Sequence, residues 1–421
     1  MVRRLVPFAA LVALGCGRDL TAPGAATEPT LAVGGVFSCV IGADGHVTCW
    51  GMNAWGQLGA ATGERCGTEP CARRPVPTAP ALRFRSLSAS PASSVWSGHV
   101  CGVTVDDEAF CWGVDKTQLG QELDTPEFCV AQNGLVGQPC SREPVRVGLP
   151  GDVTTVASGD FHSCGVDAGG AVWCWGSDSN GQLGSADAEV CGEFDLPCSF
   201  APVRIAGDRR FRVVTAGSIH ACALDEGGEA WCWGNNDQGQ LGHEAALGRN
   251  VPSVAAGGLA FAQLTTGRRH TCGVVRGGDI YCWGDNAGGQ LGAGSSETAV
   301  ADVRVKTSVP FVTVSAGWWH TCALATDGRA YCWGSNLFGQ LGADPRPAES
   351  CPAAESCSTV PVRVDGDRRF IAIGAGGAHT CALAAEGSVY CWGDNTFGQL
   401  GNGDDAPSMR PVPVAAPAGR S

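Results

Sequence analysis

The sequence predicts an all-β fold, namely a seven-bladed β-propeller of four-stranded antiparallel blades with disulfide-stapled loop insertions. Three observations predict it: the tripeptide Cys-Trp-Gly occurs seven times, a second cysteine stands ten residues before each copy, and 62 of the 421 residues are glycine. A chain of this length is longer than most single cores, so a repeat array or several domains are expected. Many glycines with scattered aromatic residues suit short strands joined by tight turns.

The Cys-Trp-Gly tripeptides set the repeat period. They begin at Cys49, Cys111, Cys174, Cys232, Cys282, Cys332 and Cys391. Such regular spacing marks a repeat array. We predict a propeller over residues 30–416 and a short tail over 417–421, with repeats at approximately 30–80, 81–150, 151–206, 207–257, 258–306, 307–365 and 366–416. A stacked solenoid is the structural alternative, but it gives no reason to stop at seven repeats and both of its ends would need caps.

The sixth repeat shows the expected strands most clearly. Its apolar segments are 311–317, 320–324, 329–334 and 361–364. Each segment is short, is bounded by turn residues and is close to period-two alternation, as a β-strand requires. Four antiparallel strands in each of seven repeats predict a propeller.

The ten-residue cysteine spacing predicts a hairpin between the second and third strands. Residues i and i+10 lie opposite each other when a three-residue loop is centred at i+5. The favoured loop of this length needs a left-handed residue at i+6, normally glycine. The residues at i+6 are Gly45, Asp107, Gly170, Gly228, Gly278, Gly328 and Gly387. Opposed cysteines at a non-hydrogen-bonded pair have Cα atoms about 4.5 Å apart, which a disulfide accepts.

The cysteines are therefore predicted to form eleven disulfides. Seven lie within the blades: Cys39–Cys49, Cys101–Cys111, Cys164–Cys174, Cys222–Cys232, Cys272–Cys282, Cys322–Cys332 and Cys381–Cys391. Four lie in the longer repeats, where each insertion carries its own pair: Cys66–Cys71, Cys129–Cys140, Cys191–Cys198 and Cys351–Cys357. Such a framework indicates an oxidising compartment. Zinc is disfavoured because structural zinc sites need two close ligand pairs; reduced cysteines in a cytosolic core are the other alternative.

The remaining cysteine of the 23, Cys16, follows a segment typical of export signals. Arg3 and Arg4 precede an apolar stretch over 5–14, which is too short to span a bilayer as a stable helix. The segment 13–16, Ala-Leu-Gly-Cys, resembles a bacterial lipoprotein box, although leucine is usual at the position of Ala13 and a smaller residue at that of Leu14. We predict a signal peptide over 1–15, lipidation of Cys16 and a flexible tether over 16–29. This places the protein in a bacterial cell envelope, anchored by its lipid to the outer membrane. The alternative is an ordinary signal peptide and a secreted protein.

Three segments carry a family resemblance. Residues 175–184, 333–342 and 392–401 resemble the W-G-x-N-x-x-G-Q-L-G signature of RCC1 (regulator of chromosome condensation) repeats, and 317–320 resembles the family's G-x-x-H signature. The resemblance covers roughly residues 31–414. The second repeat departs most, since 114–120 lacks the Asn and one residue of the pattern, and the cysteine ladder is a further departure. The resemblance implies a seven-bladed propeller.

The resemblance implies less about function. The eukaryotic namesake promotes nucleotide exchange on a small GTPase and docks on chromatin, whereas a secreted bacterial protein with this fold inhibits β-lactamase by covering its active site. The net charge of −13 argues against nucleic acid, which requires a basic surface. The sequence has no phosphate-binding glycine loop, no His-Glu-x-x-His motif and no G-x-S-x-G motif. We therefore expect a monomeric, non-catalytic protein without metal or cofactor, which binds another protein through its loops.

Two repeated residue types are expected to be structural. Six histidines that stand two residues before a cysteine should tie strands together, and the tryptophans of Cys-Trp-Gly should pack between blades. Partner binding is instead predicted for variable residues of the G-x-x-H turns: Phe161, Arg268, Arg269, Trp318 and Trp319. Two alternatives remain open. An envelope enzyme acting on carbohydrate or lactone would bring acidic or histidine side chains into the central channel, and a guanine-nucleotide exchange factor would need a cytosolic location.

Overall fold

The computed structural model describes residues 30–91, 97–123, 126–129, 137–185, 189–191, 196–243, 248–255, 257–344 and 349–417. These residues form seven antiparallel sheets in chain order, so the predicted all-β, seven-bladed propeller is confirmed. The predicted signal peptide over 1–15, the lipidation site Cys16, the tether over 16–29 and all but the first residue of the tail lie outside the described residues. In the described part of the chain, no helix is long and apolar enough to cross a membrane.

Each blade consists of consecutive strands. Blade 1 contains β1 Thr30–Val33, β2 Phe37–Ile41, β3 Val47–Met52, β4 Glu64–Cys66 and β5 Glu69–Thr78. Blade 2 contains β6 Phe84–Ala89, β7 His99–Thr104, β8 Ala109–Val114, β9 Glu127–Cys129 and β10 Gln138–Arg146. Blade 3 contains β11 Val153–Ser158, β12 His162–Asp167, β13 Val172–Ser177, β14 Glu189–Cys191 and β15 Leu196–Arg204. Blade 4 contains β16 Phe211–Ala216, β17 His220–Asp225, β18 Ala230–Gly234 and β19 Arg249–Val254.

The remaining blades follow the same order. Blade 5 contains β20 Phe261–Thr266, β21 His270–Val275, β22 Ile280–Gly284 and β23 Ala299–Arg304. Blade 6 contains β24 Phe311–Ala316, β25 His320–Ala325, β26 Ala330–Ser335, β27 Glu349–Cys351 and β28 Ala354–Arg363. Blade 7 contains β29 Phe370–Ala375, β30 His379–Ala384, β31 Val389–Gly393 and β32 Ser408–Pro413.

Four blades differ from the four-stranded prediction. In blades 1, 2, 3 and 6 the insertion folds back as a three-residue fifth strand, which pairs with the extended outer strand of the same blade. The cysteine pair of each insertion joins this fifth strand to the outer strand, with Cα atoms 5.7 to 6.1 Å apart. The insertions are therefore stapled as predicted, and each forms a short hairpin at the blade edge.

The hairpin between the second and third strands has the predicted geometry. Cys39 is the register partner of Cys49, and the same holds for the equivalent cysteines of all seven blades. All seven pairs are at disulfide distance, with Cα atoms 4.1 Å apart. The i+6 residue is left-handed in every blade, and Asp107 adopts φ +61° where the others are glycine.

The Cys-Trp-Gly tryptophans hold the blades together, as predicted. All seven are fully buried. Each indole Nε1 donates to the main-chain oxygen of the Gln-Leu-Gly glutamine in the preceding blade, at 2.9 to 3.2 Å. The ring closes by the same contact, since Trp50 of blade 1 donates to Gln399 of blade 7 at 2.9 Å.

Candidate functional site

The two ends of the propeller differ in what they carry. In blade 3, His162 pairs with Gly176 and the next residue, Ser177, pairs with Cys198. The G-x-x-H turns and the fifth strands therefore share one end, as the antiparallel order predicts; we call this end the loop face. The other end, the hairpin face, carries the tight turns between the second and third strands. Apart from a cavity of about 640 Å³ beside the turn of blade 1, lined by Asp44, His46 and Pro77 among others, the hairpin face presents only short turns. The longer connections are on the loop face, so the loop face is the candidate site.

The histidines of the G-x-x-H turns tie neighbouring blades together. In five of six cases, Nε2 lies 2.7 to 3.1 Å from a hydroxyl oxygen of the next blade. The pairs are His99–Ser163, His220–Thr271, His270–Thr321, His320–Thr380 and His379–Ser38. Several of these hydroxyls also donate to the main-chain oxygen of the turn glutamine. The histidines are thus structural, in agreement with the sequence prediction.

Two blades depart from the histidine pattern. His162 has no hydrogen-bond partner at either ring nitrogen among the described residues, and the hydroxyl position in blade 4 is occupied by Ala221. Blade 1 has Phe37 in place of histidine, and the next blade has the apolar Val100 at the hydroxyl position. Burial lowers the pKa of the five histidines in blades 2 to 6 to about 3 and that of His379 to about 4. All six are therefore neutral at physiological pH.

The structure separates Trp318 from the other predicted binding residues. Its Nε1 donates to the main-chain oxygen of Pro91 at 2.6 Å. Pro91 belongs to blade 2 and Trp318 to blade 6, and both line the central channel. Trp318 also packs against Gly377, where an added Cβ would lie 2.9 Å from its Cε2. Its ring therefore crosses the channel mouth, and sequence reasoning could not foresee a contact with a residue 227 positions away.

Arg268 and Trp319 come together on the loop face. The guanidinium carbon of Arg268 lies 5.3 Å from the centre of the Trp319 ring, within cation–π range. Arg269 is exposed, whereas Phe161 is half-buried in blade 3. Burial and the neighbouring Arg269 lower the pKa of Arg268. These contacts make an aromatic and basic surface of Arg268, Arg269 and Trp319, which is smaller than the predicted set.

The central channel is lined mainly by small and hydroxyl side chains. Ser88, Thr215, Thr265 and Ser315 contribute oxygens from four inner strands. These oxygens accept hydrogen bonds from main-chain N–H groups of the next blade, as Thr265 does from Ala316 at 3.2 Å. No acidic residue or histidine is among the described channel-lining residues. Likewise, no three potential metal ligands come together in the described part of the chain.

Sequence reasoning missed exposed apolar side chains on the loop face, both in the fifth-strand hairpins of blades 2 and 3 (Phe128, Val190 and Leu196) and at the turn of blade 6. Leu337, Phe338 and Met409 are 51%, 46% and 50% exposed, in blades 6 and 7. Leu337 and Phe338 occupy the two variable positions before the second glycine of the W-G-x-N-x-x-G-Q-L-G signature. A comparison of these two positions between the repeats could have revealed the apolar pair in blade 6.

Comparison with known proteins identifies related sequences and folds. The model of the RCC1-like domain family matches residues 91–420. The mitochondrial RCC1 domain-containing protein RUG3 of Arabidopsis thaliana is 28% identical over 224 residues, which are 53% of this chain and 45% of RUG3. The secretion-regulating guanine nucleotide exchange factor of Mus musculus is 30% identical over 218 residues, which are 50% of this chain and 42% of that protein. The chain thus matches less than half of the length of either relative.

A solved structure supports the fold. Prp20p of Saccharomyces cerevisiae, which has been studied for its binding to Gsp1p and histones, superimposes with a TM-score of 0.71 at 20% identity, covering 92% of this chain and 88% of Prp20p. A likeness at this identity concerns the fold alone. These three proteins are eukaryotic, so a bacterial and exported origin of the chain stays a prediction.

Proposed function

Because the chain belongs to the family of RCC1-like domains, we propose that it is a non-catalytic scaffold that binds another protein through its loop face. One relative in sequence is a secretion-regulating guanine nucleotide exchange factor, and a protein with the same fold has been studied for its binding to Gsp1p and histones. The observation that carries the proposal is the surface of Arg268, Arg269 and Trp319. Tryptophan and arginine are the residues most enriched at the energetic centres of protein interfaces.

The charges of this surface are only partly balanced within the chain: burial lowers the pKa of Arg268, but Asp160 and Asp285 lie close enough to oppose that shift. None of the salt bridges formed within the described part of the chain includes Arg268 or Arg269. Trp319 holds the Arg268 guanidinium in place without neutralising it. A partner carboxylate could therefore form a new, partly buried ion pair here, which strengthens as water is excluded.

The proposed location is the cell envelope, with the lipid at Cys16 as anchor. The cysteine pairs at disulfide distance suit an oxidising compartment. Thr30 pairs with Ile41, next to the turn at 42–46, so the chain enters the propeller at the hairpin face. A lipid at Cys16 would therefore attach the propeller to the membrane from the side of its hairpin face.

The exchange-factor alternative rests on the relative from Mus musculus, which is matched over less than half of its length. It predicts that the purified propeller accelerates nucleotide release from a small GTPase. The envelope-enzyme alternative predicted acidic or histidine side chains in the channel, and the described channel lining offers none for such a role.

The test is a comparison of partner capture by three forms of the mature protein. Arg268→Glu/Arg269→Glu inverts the charge of the proposed surface. Arg368→Glu is the control, because Arg368, like Arg268, lies over an aromatic ring, that of Tyr390 at 4.4 Å. Envelope extracts are passed over each immobilised form, and bound proteins are quantified by mass spectrometry. We expect wild type and Arg368→Glu to retain the same partner and the double variant to retain about tenfold less. Equal capture by all three forms would contradict the proposal.

A further inference from the structure

The variable tips of the W-G-x-N-x-x-G-Q-L-G turns face the outer edge of the next blade. We define the tip as the two residues between the Asn or Asp and the following glycine. In blade 6 that glycine is Gly339, and a Cβ added there would lie 2.8 Å from the Cγ of Met409 in β32. In blade 4, the equivalent Gly239 lies equally close to Val300 in β23. Each tip therefore borders the position where a fifth strand of the next blade would lie.

Where the next blade has a fifth strand, the turn tip is covered. Trp55, at the tip of blade 1, is fully buried and packs with Cys129 and Cys140 of blade 2. At the tip of blade 5, the main-chain oxygen of Ala287 accepts a hydrogen bond from Ala353 of blade 6 at 2.9 Å. Apolar residues at these tips are thus shielded by the chain itself.

Where the next blade lacks a fifth strand, two of the three tips are polar. Blade 3 has Ser179–Asn180 and blade 4 has Asp237–Gln238, as expected of solvated turns. Blade 6 also precedes a four-stranded blade, yet its tip is Leu337–Phe338 and both side chains are about half exposed. Among the six described tips that fit this definition, which leaves out the shorter turn of blade 2, this is the one that is apolar and lacks a cover.

The surroundings of the uncovered tip are acidic. Described residues 335–344, 349–358 and 393–410 lie on the loop face of blades 6 and 7, and their single cation, Arg410, is paired with Asp365 at 3.1 Å. Arg363 lines the same cavity as Asp344 and Arg410, but it is paired with Asp367. The acidic residues in the same ranges are Asp344, Glu349, Glu355, Asp394, Asp404 and Asp405. Asp405 is paired with Arg73 of blade 1, but Asp344 is exposed and is in no salt bridge of the described residues. An apolar surface bordered by excess negative charge favours a partner with positive charge beside an apolar side chain.

We infer that Leu337, Phe338 and Met409 form a docking surface for a basic segment of a partner protein. An apolar side chain of the segment covers Phe338 and Met409, in the position that the fifth strand fills above Trp55. A lysine or arginine beside it lies next to Asp344. This inference rests on the proposed protein-binding function and places a second contact on the same loop face, separate from Arg268 and Trp319.

The test uses a random peptide library displayed on phage, with the mature protein as bait. Leu337→Asp/Phe338→Gln transplants the Asp237–Gln238 tip of blade 4, so it suits the turn. The control is Ile371→Thr, since Ile371 is 53% exposed on an inner strand. We expect wild type and Ile371→Thr to enrich peptides with an apolar residue beside lysine or arginine. A synthetic peptide of the enriched sequence should bind the double variant about tenfold more weakly.

Several outcomes would overturn the inference: no enrichment by wild type, enriched peptides without basic residues, or equal binding to the double variant. Sedimentation velocity provides the arm for self-association, and a dimer that the double variant abolishes would make a second copy the occupant. Some enriched peptides could bind Leu337→Asp/Phe338→Gln but not Arg268→Glu/Arg269→Glu. That result would contradict a docking surface at Phe338 and would leave the proposed scaffold function in place. Conversely, the wild type could capture no partner from envelope extracts and still bind peptides through Phe338. That result would overturn the proposed function alone. Equal urea midpoints for all variants verify that they are folded.

Discussion

Lowering the pH should destabilise the propeller steeply, because six neutral histidines lie in the interfaces between blades. Each has a pKa of about 3 or 4 in the fold and about 6.5 in the unfolded chain. The unfolded state therefore binds more protons below pH 6.5. The stabilisation from keeping these groups neutral is complete above that pH and is lost as the pH falls towards 3.

The magnitude follows from the linkage relation. At pH 5, each histidine lowers the free energy of unfolding by about 2 kcal/mol relative to pH 7.5, so six lower it by about 12 kcal/mol. One opposing group is Asp115, whose pKa burial raises to about 6. Its protonation in the folded state raises the free energy of unfolding by about 1 kcal/mol at pH 5. The loss from the six histidines, less the gain from Asp115, is comparable with the whole stability of a typical domain. Asp178, whose pKa is also raised by burial, opposes the loss in the same direction as Asp115.

Urea unfolding followed by tryptophan fluorescence at pH 7.5, 6 and 5, with disulfides intact, measures this loss. His162→Phe is the matched variant, since blade 1 already accommodates Phe37 at the same position. We expect the variant to lose about one-sixth less free energy than wild type between pH 7.5 and 5. A urea midpoint that is independent of pH, or an identical pH dependence in His162→Phe, would refute the argument that buried neutral histidines set the acid stability.

Three further substitutions test individual contacts by urea unfolding. Ala221→Ser should give His162 its missing partner and raise the free energy of unfolding by about 1 kcal/mol, and no gain in a wild-type background, or an equal gain beside His162→Phe, would contradict this. Asp115→Asn should raise the free energy of unfolding by about 3 kcal/mol at pH 7.5 and by much less at pH 4, where the carboxyl is protonated; a pH-independent effect would contradict burial as the cause. Gly401→Ala should lower the free energy of unfolding more than Gly387→Ala does. Both glycines are left-handed, but only at Gly401 would an added Cβ meet Trp50, at 2.7 Å. Equal losses of free energy would argue against tight closure between blades 7 and 1.

Much of the fold could be predicted because it depends on local spacing. The ten-residue cysteine interval and a glycine at i+6 determine a hairpin without reference to the rest of the chain, and even Asp107 takes the left-handed conformation. The fifth strands could not be predicted in this way. Glu64–Cys66 and its three equivalents are three residues long, which is too short for an alternation pattern to be recognised.

The candidate site could be predicted only in part. The contact of Arg268 with Trp319 joins consecutive blades, so the repeat order was sufficient to bring them together. Trp318 differs because its indole bonds to Pro91 across the channel, a contact that depends on ring closure. Phe338 was missed because its exposure depends on a strand that blade 7 lacks, a fact that becomes visible only when the edges of neighbouring blades are compared.

The central claim is that the propeller is locked by disulfides outside the cytosol. Cells are lysed in iodoacetamide, the mature protein is purified under denaturing conditions without reductant, and the alkylated cysteines are counted by intact mass. We predict that none of the 22 cysteines other than Cys16 is alkylated. Alkylation of most of them would contradict the disulfide framework and, with it, the proposed export.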